Sequence, residues 1–257
     1  MTGAGLVLLD FDGVICDSVD ECMAASARAY YDLQGGTMPA PLASRRRVDF
    51  ARLRPFIRTG EDYLLIHELI DRGIAVQNQA DFDEAAHEAG PGKMGRFRDL
   101  FYRGRVELMQ ADRDAWMSMN RIYPEARAAL LGAAGKALFI LSTKKPEFIR
   151  DILCHAGIEV PARRILFSGH DPKLPIVERV RSEGGHGRAV FIDDQVDHLL
   201  ANPFPCVAVY LASWGYVASE QVAREAGIPV LAASDLQGLV ACTLQGDAMH
   251  GSGSQVQ

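Results

Sequence analysis

The chain has 257 residues, which at ~150 residues per domain makes one large domain or two unequal ones. Hydrophobic residues make up 48% and charged residues 23%, the mix of a globule with a sizeable core, so a disordered or fibrous body is excluded. A net charge of −6 and a pI near 5.6 provide no positive field to hold nucleic acid or an anionic membrane, and no apolar run approaches the ~20 residues of a membrane helix.

The N-terminus lacks the basic start and long apolar stretch of a signal peptide. Five scattered cysteines, Cys16, Cys22, Cys154, Cys206 and Cys242, form no C-x-x-C pair and read as reduced thiols, so a cytoplasmic setting is expected.

The first apolar run, residues 6–9, is of strand length and ends in Asp10-Phe11-Asp12-Gly13. An extended chain places Asp10 and Asp12 on one side and Phe11 on the other, and Gly13 permits a sharp turn away. Two carboxylates side by side at the end of a buried strand are unfavourable unless a cation sits between them. Cys16, close behind, reads as a small packing residue.

Residues 17–120 contain no convincing strand and several amphipathic stretches. Thr59-Gly60-Glu61-Asp62 resembles a capping box ahead of Tyr63, Leu64, Ile66, His67 and Ile70 at helical spacing, and residues 81–89 and 94–119 predict two more helices. Residues 44–58 carry six arginines against one acid. A solvated face or surface ion pairs would explain them; the sharper reading is that Arg54, Arg58 or Arg47 clamps a second anionic group of a substrate, Arg54 and Arg58 first because they flank Pro55.

From residue 122 strands and helices alternate. Runs at 137–141, 165–167, 189–192 and 207–211 are apolar at nearly every position, as in strands buried on both faces. Pro124 and Pro146 open helices, the second carrying Phe148, Ile149, Ile152 and Leu153 before Gly157. The pattern predicts a doubly wound parallel α/β sheet with its first strand separated from the rest by an all-helical insert. The expected division is an α/β core at 1–16 and 121–245, a helical cap at 17–120 and a flexible tail at 246–257. No aromatic or apolar patch stands out as a subunit interface.

In open α/β sheets ligands bind outside the carboxyl ends of the strands. Those ends carry Asp10 and Asp12, Ser142-Thr143-Lys144-Lys145, Lys173 after the third run, and Asp193-Asp194-Gln195-Val196-Asp197. About 50 residues separate Thr143 from Asp193, room for two strand–helix units of ~25 residues. Hard carboxylate oxygens suit Mg²⁺, and a hydroxyl with an ammonium suits phosphate.

Four motifs in this order resemble those of the haloacid dehalogenase-like (HAD) hydrolases, in particular the phosphatase branch with a helical C1 cap, such as the phosphoglycolate phosphatases. The resemblance spans roughly residues 5–240. It implies Asp10 as nucleophile, Asp12 as general acid and base, Thr143 (or Ser142 beside it) and Lys173 as phosphate holders with Lys144 as a rival cation, and a Mg²⁺ site among Asp10, Asp12, Asp193, Asp194 and Asp197, the choice between Asp193 and Asp194 staying open. An acid at Asp12 fits phosphate esters better than halides, whose departure needs no proton. The implied activity is Mg²⁺-dependent hydrolysis of a small phosphorylated metabolite through an aspartyl-phosphate. The rivals are a phosphotransferase or sugar phosphomutase sharing that intermediate, and a non-catalytic phosphometabolite-binding module.

Three further features carry no chemistry in this reading. Trp214-Gly215-Tyr216 is expected to pack a strand end. His155, His170, His186 and His198 lack metal-ligand spacing, and Gly132-Ala133-Ala134-Gly135-Lys136 is too short for a P-loop.

Overall fold

Every residue of Leu6–Leu9 is buried, and this strand, β1, is the centre of the molecule. The computed structural model describes residues 5–37 and 44–245; the tail expected at 246–257 lies outside them. After β1 comes a two-residue strand β2 (Cys16–Asp17), then six helices: α1 (Val19–Leu33), α2 (Ser44–Leu53), α3 (Tyr63–Arg72), α4 (Gln79–Ala89), α5 (Pro91–Ala111) and α6 (Arg113–Ser118). The chain returns through β3 (Arg121–Ile122), which pairs antiparallel with β2, so outgoing and incoming strands meet at the neck of the helical insert.

The rest alternates: α7 (Pro124–Gly132), β4 (Leu138–Ser142), α8 (Pro146–His155), β5 (Ile165–Phe167), α9 (Lys173–Glu183), β6 (Ala189–Asp193), β7 (Val207–Ala212), α10 (Glu220–Glu225), β8 (Val230–Leu231) and α11 (Leu236–Gln245). The six sheet strands run parallel in the order β5-β4-β1-β6-β7-β8. Side chains alternate across a strand, and β1 uses both faces. Val7 and Leu9 pack with α7, α8 and α11, whereas Leu6 and Leu8 pack with α9 and α10. This is the doubly wound sheet the apolar runs predict. The chain winds outward from β1 on both sides, so the crevice lies at the carboxyl ends of β1, β4 and β6.

Several elements differ from expectation. The helix foreseen over 94–119 is two helices, because Asp112 adopts an extended backbone and its carboxylate accepts the Ala115 N–H at 2.9 Å, capping α6 anew. Strands β2, β3 and β8 have two residues each, too few to carry a periodicity in the sequence. The capping box at Thr59 is present, with Asp62 accepting the Thr59 N–H at 2.9 Å, and it starts a 3₁₀ turn that runs into α3. No helix among the described residues is long and apolar enough to cross a membrane.

Candidate active site

Asp10 continues the β1 ladder by donating its N–H to the Ile192 carbonyl at 2.9 Å, which fixes its carboxylate at the sheet's carboxyl edge. Phe11 points into the core and Asp12 returns to the cavity side. Gly13, at φ +89°, then turns the chain against Asp194. From the neighbouring strand β6 come Asp193 and Asp194. Asp10, Asp193 and Asp194 each offer an oxygen within 4.8 Å of the others, all three buried.

Lys173, the first residue of α9, inserts its ammonium between two of them, 2.8 Å from Asp193 Oδ2 and 3.0 Å from Asp10 Oδ1. The approach to Asp10 is not aligned as a hydrogen bond, and Asp10 Oδ1 is left buried without a donor. His198 Nδ1 also lies 3.0 Å from Asp193 Oδ2, and the Gln195 N–H donates to Asp193 Oδ1 at 2.8 Å. Asp193 therefore has both oxygens engaged. Asp194 accepts only the Tyr216 N–H, at 2.6 Å on Oδ2.

The electrostatics follow from this arrangement. Burial pushes Asp10 above the ordinary carboxylate range, with Lys173 opposing and Asp193 and Asp12 adding to the rise. Burial and then Asp193 and Asp10 push Asp194 well up. Burial would raise Asp193 as well, but Lys173 and His198 outweigh it and hold that carboxyl well down. Three buried carboxylates with hard oxygens, an orphaned Asp10 Oδ1 and like-charge repulsion left over form a donor set that fits Mg²⁺.

In the same cavity Asp12 faces cations. Lys144 Nζ is 3.1 Å from Asp12 Oδ1, and burial's upward push on Asp12 is overcome by Lys144 and Arg54, which hold it below its usual value. Arg54 is buried, its guanidinium 4.2 Å from the Tyr216 ring centre and 5.5 Å from that of Tyr63. Among the described residues it has no carboxylate within ion-pair distance, and its Nε has no hydrogen-bond partner. Thr143 lines the cavity beside these groups. The free volume there is about 40 Å³.

Several sequence expectations are corrected by these positions. Ser142 is buried in β4, off the cavity wall, with its hydroxyl accepting the Lys144 N–H at 3.2 Å, so of the two neighbours it is Thr143 that lines the cavity. Lys144, expected as a rival phosphate-binding cation, lies against Asp12 and Glu21. Asp197 stands outside the acidic cluster, because the chain turns at Gln195 into a 3₁₀ turn that carries it towards the insert, where Arg58 Nε donates to it at 2.8 Å. Arg58 is thereby engaged by Asp197 and, at 2.6 Å, by Asp83. Arg47 is half-exposed away from the cavity and paired with Asp20 at 2.6 Å. Four of the six arginines of this segment are ion-paired, Arg52 is exposed, and Arg54 is the buried member with no acid within ion-pair distance among the described residues.

Three residues that sequence reading passed over also belong here. His198 touches Asp193, five residues away on a loop with no helical or strand phase to expose the contact. Glu21 and Arg105 form a buried bidentate pair behind Lys144, at 2.6 and 2.9 Å. Each sits in phase with an apolar stripe, Glu21 with Cys22, Ala25 and Ala29, Arg105 with Phe97 and Phe101. A charge on a stripe is a signal; its partner 84 residues away is not legible. Tyr216 does more than pack a strand end, since its hydroxyl accepts the Ser18 N–H at 2.8 Å and donates to Asp17 at 3.1 Å.

No protein-family model and no curated protein matches the chain. Solved structures do. A predicted phosphoglycolate phosphatase from Haemophilus somnus 129PT is 18% identical with a TM-score of 0.57, covering 91% of this chain and 96% of its own. A haloacid dehalogenase-like family hydrolase from Streptococcus pneumoniae is 15% identical with a TM-score of 0.56, covering 93% and 98%. A HAD family hydrolase from Deinococcus radiodurans R1, solved with bound phosphate and sodium, is 17% identical with a TM-score of 0.52, covering 95% and 97%. At these identities the likeness is one of fold: this chain has the fold of the HAD-like hydrolases, insert included.

Proposed function

We propose that this protein is a Mg²⁺-dependent phosphomonoesterase acting on a small phosphorylated metabolite through an aspartyl-phosphate on Asp10. The observation that carries the reading is the buried Asp10, Asp193 and Asp194 cluster, with Lys173 between Asp10 and Asp193 and Asp12 lining the same cavity. The fold likeness to named phosphatases, and to a HAD family hydrolase solved with bound phosphate and sodium, supports it. All five cysteines are unpaired, which suits a cytoplasmic setting.

Asp10, Asp193 and Asp194 would hold the Mg²⁺, which neutralises charge between a carboxylate nucleophile and a phosphate dianion. Asp10 attacks phosphorus from the end of a rigid strand. Lys173 and Thr143 bind the non-bridging oxygens and keep the group in line. Asp12 gives a proton to the departing ester oxygen, then takes one from the water that cleaves the aspartyl-phosphate. Arg54, a buried cation without an acid, selects substrates with a second anionic group.

Phosphate release from a panel of phosphorylated sugars, carboxylic acids and nucleotides, with and without Mg²⁺, tests this. Turnover that needs the metal and falls at least ~1,000-fold in Asp10→Asn is expected. Arg54→Ala is expected to raise KM for a phosphorylated carboxylic acid by about tenfold or more, and for p-nitrophenyl phosphate far less. A folded, Mg²⁺-binding protein that is silent on the whole panel refutes the hydrolase reading.

A further inference from the structure

The cavity contains a cation that phosphate binding leaves without a task. Lys144 follows Thr143 at the end of β4, is 3% exposed, and places Nζ 3.1 Å from Asp12 Oδ1 and 3.4 Å from Glu21 Oε2. Glu21, on α1, is wholly buried and held by Arg105 of α5 and by the Trp116 Nε1–H at 3.3 Å. Arg105 in turn lies 4.4 Å over the Phe101 ring and 5.4 Å over that of Phe148. The signs alternate from Asp12 through Lys144 and Glu21 to Arg105.

Burying four charges is costly, and apolar side chains in the same phase would pack α1 against α5 more cheaply. The fold therefore has no need of this chain of charges, and a use for it must be found at its cavity end. Resting on the phosphatase reading above, the ester oxygen that receives a proton from Asp12 must come within ~2.6–3.2 Å of that carboxylate. Bound at Oδ1 it would lie within about 6 Å of the Lys144 ammonium, which is 3.1 Å from that oxygen, on the side of the phosphorus opposite Asp10's attack.

We propose that Lys144 is the leaving-group cation of this enzyme, and that Glu21 and Arg105 are positioning residues that hold its ammonium against Asp12. As the bond from an Asp10 oxygen to phosphorus forms, the bond from phosphorus to the ester oxygen breaks and leaves its electron pair on that oxygen. Asp12 supplies the proton. Lys144 keeps its own protons throughout and stabilises the negative charge while it develops, from a site already desolvated and in place. The device suits esters of weakly acidic alcohols, whose departure is hardest, and adds little for acidic leaving groups. It also gives α1 and α5 of the insert a hold on the chemistry.

The test is the dependence of kcat/KM on leaving-group acidity, measured on the full chain with Mg²⁺ for phenyl, 4-nitrophenyl and 2,4-dinitrophenyl phosphate. Lys144→Met is expected to lose about 100-fold on phenyl phosphate and less than about fivefold on the dinitrophenyl ester, so that the dependence steepens; Lys144→Arg is expected to recover part of it. Glu21→Gln is expected to steepen it by about tenfold. Because that change leaves Arg105 unpaired, the neutral pair Glu21→Gln with Arg105→Gln accompanies it, with folding read by circular dichroism. Equal losses across the three esters in folded Lys144 variants overturn the leaving-group role while leaving the phosphatase intact. A wild-type protein inactive on all three overturns both.

Discussion

Asp194 owes its position to what two neighbouring residues lack. A Cβ on Gly13 would stand 2.0 Å from Asp194 Oδ2, and one on Gly215 would stand 2.4 Å from the Asp194 Cβ and 2.6 Å from the Gly13 carbonyl. Gly13 also has a backbone, φ +89°, that side chains rarely adopt. Gly13→Ala is therefore expected to cost at least ~1 kcal/mol from the backbone alone, more from the overlap, and to displace Asp194 from Asp10. A thermal melt with a Mg²⁺ titration measures both: a lowered midpoint and metal binding weakened by about tenfold or more. Gly13 was legible as a turn because it follows two acids at a strand end. Gly215, some two hundred residues on, was legible only as part of a loop, since nothing in a linear chain says which backbone Asp194 will lie against. The same holds for Asp197: its spacing from Asp193 suggested a shared metal, and only the turn at Gln195 decides that it meets Arg58 instead.

Among the elements, five of the six sheet strands announce themselves as continuous apolar runs; β1, β4 and β6 are buried nearly throughout, whereas β5 and β7 leave Phe167 and Ala208 exposed. The insert's helices are legible where a cap or stripe marks them, and blurred where, as at Asp112, one helix ends on the residue that starts the next. Their packing adds a property that no stripe shows. His67 of α3 is buried between α1 and α2, with Nε2 2.8 Å from the Ser26 hydroxyl and Nδ1 2.9 Å from Arg46 Nη2. A guanidinium can only donate, so Nδ1 accepts and the ring is neutral. Burial, with Arg46 next, pulls this histidine down to about 3. Its folded value lies below the unfolded one of ~6.5, so its contribution is complete above that pH and is lost as pH falls towards 3. The loss is about 1.4 kcal/mol per pH unit at most. Urea unfolding at pH 7.5, 6 and 5 is expected to show wild-type stability declining on acidification, and His67→Gln declining less over the same range.

At the scale of the whole molecule, the insert is fastened to the sheet around the cavity. Arg58 joins Asp197 of the sheet side to Asp83 of α4, and Gln195 donates to the carbonyls of Pro55 and Ile57 at 2.7 and 3.0 Å. Glu61 lies 3.5 Å from His170. A free volume of about 40 Å³ is room for a few waters at ~10–15 Å³ of probe-occupied volume each. Loosening these fastenings is therefore expected to ease the passage of a phosphate ester. Half-exposed ion pairs are individually worth ~0.2–1 kcal/mol, weak enough to break on every cycle. Arg58→Ala is expected to raise kcat for p-nitrophenyl phosphate by about twofold to fivefold while raising KM, and 0.5 M salt is expected to do the same to the wild type. A fall in kcat with KM unchanged speaks against this. Separating two large bodies through water is also work against friction: sucrose or glycerol that thickens the solvent is expected to slow wild-type turnover in proportion, and to slow Asp12→Asn, held back by chemistry, hardly at all.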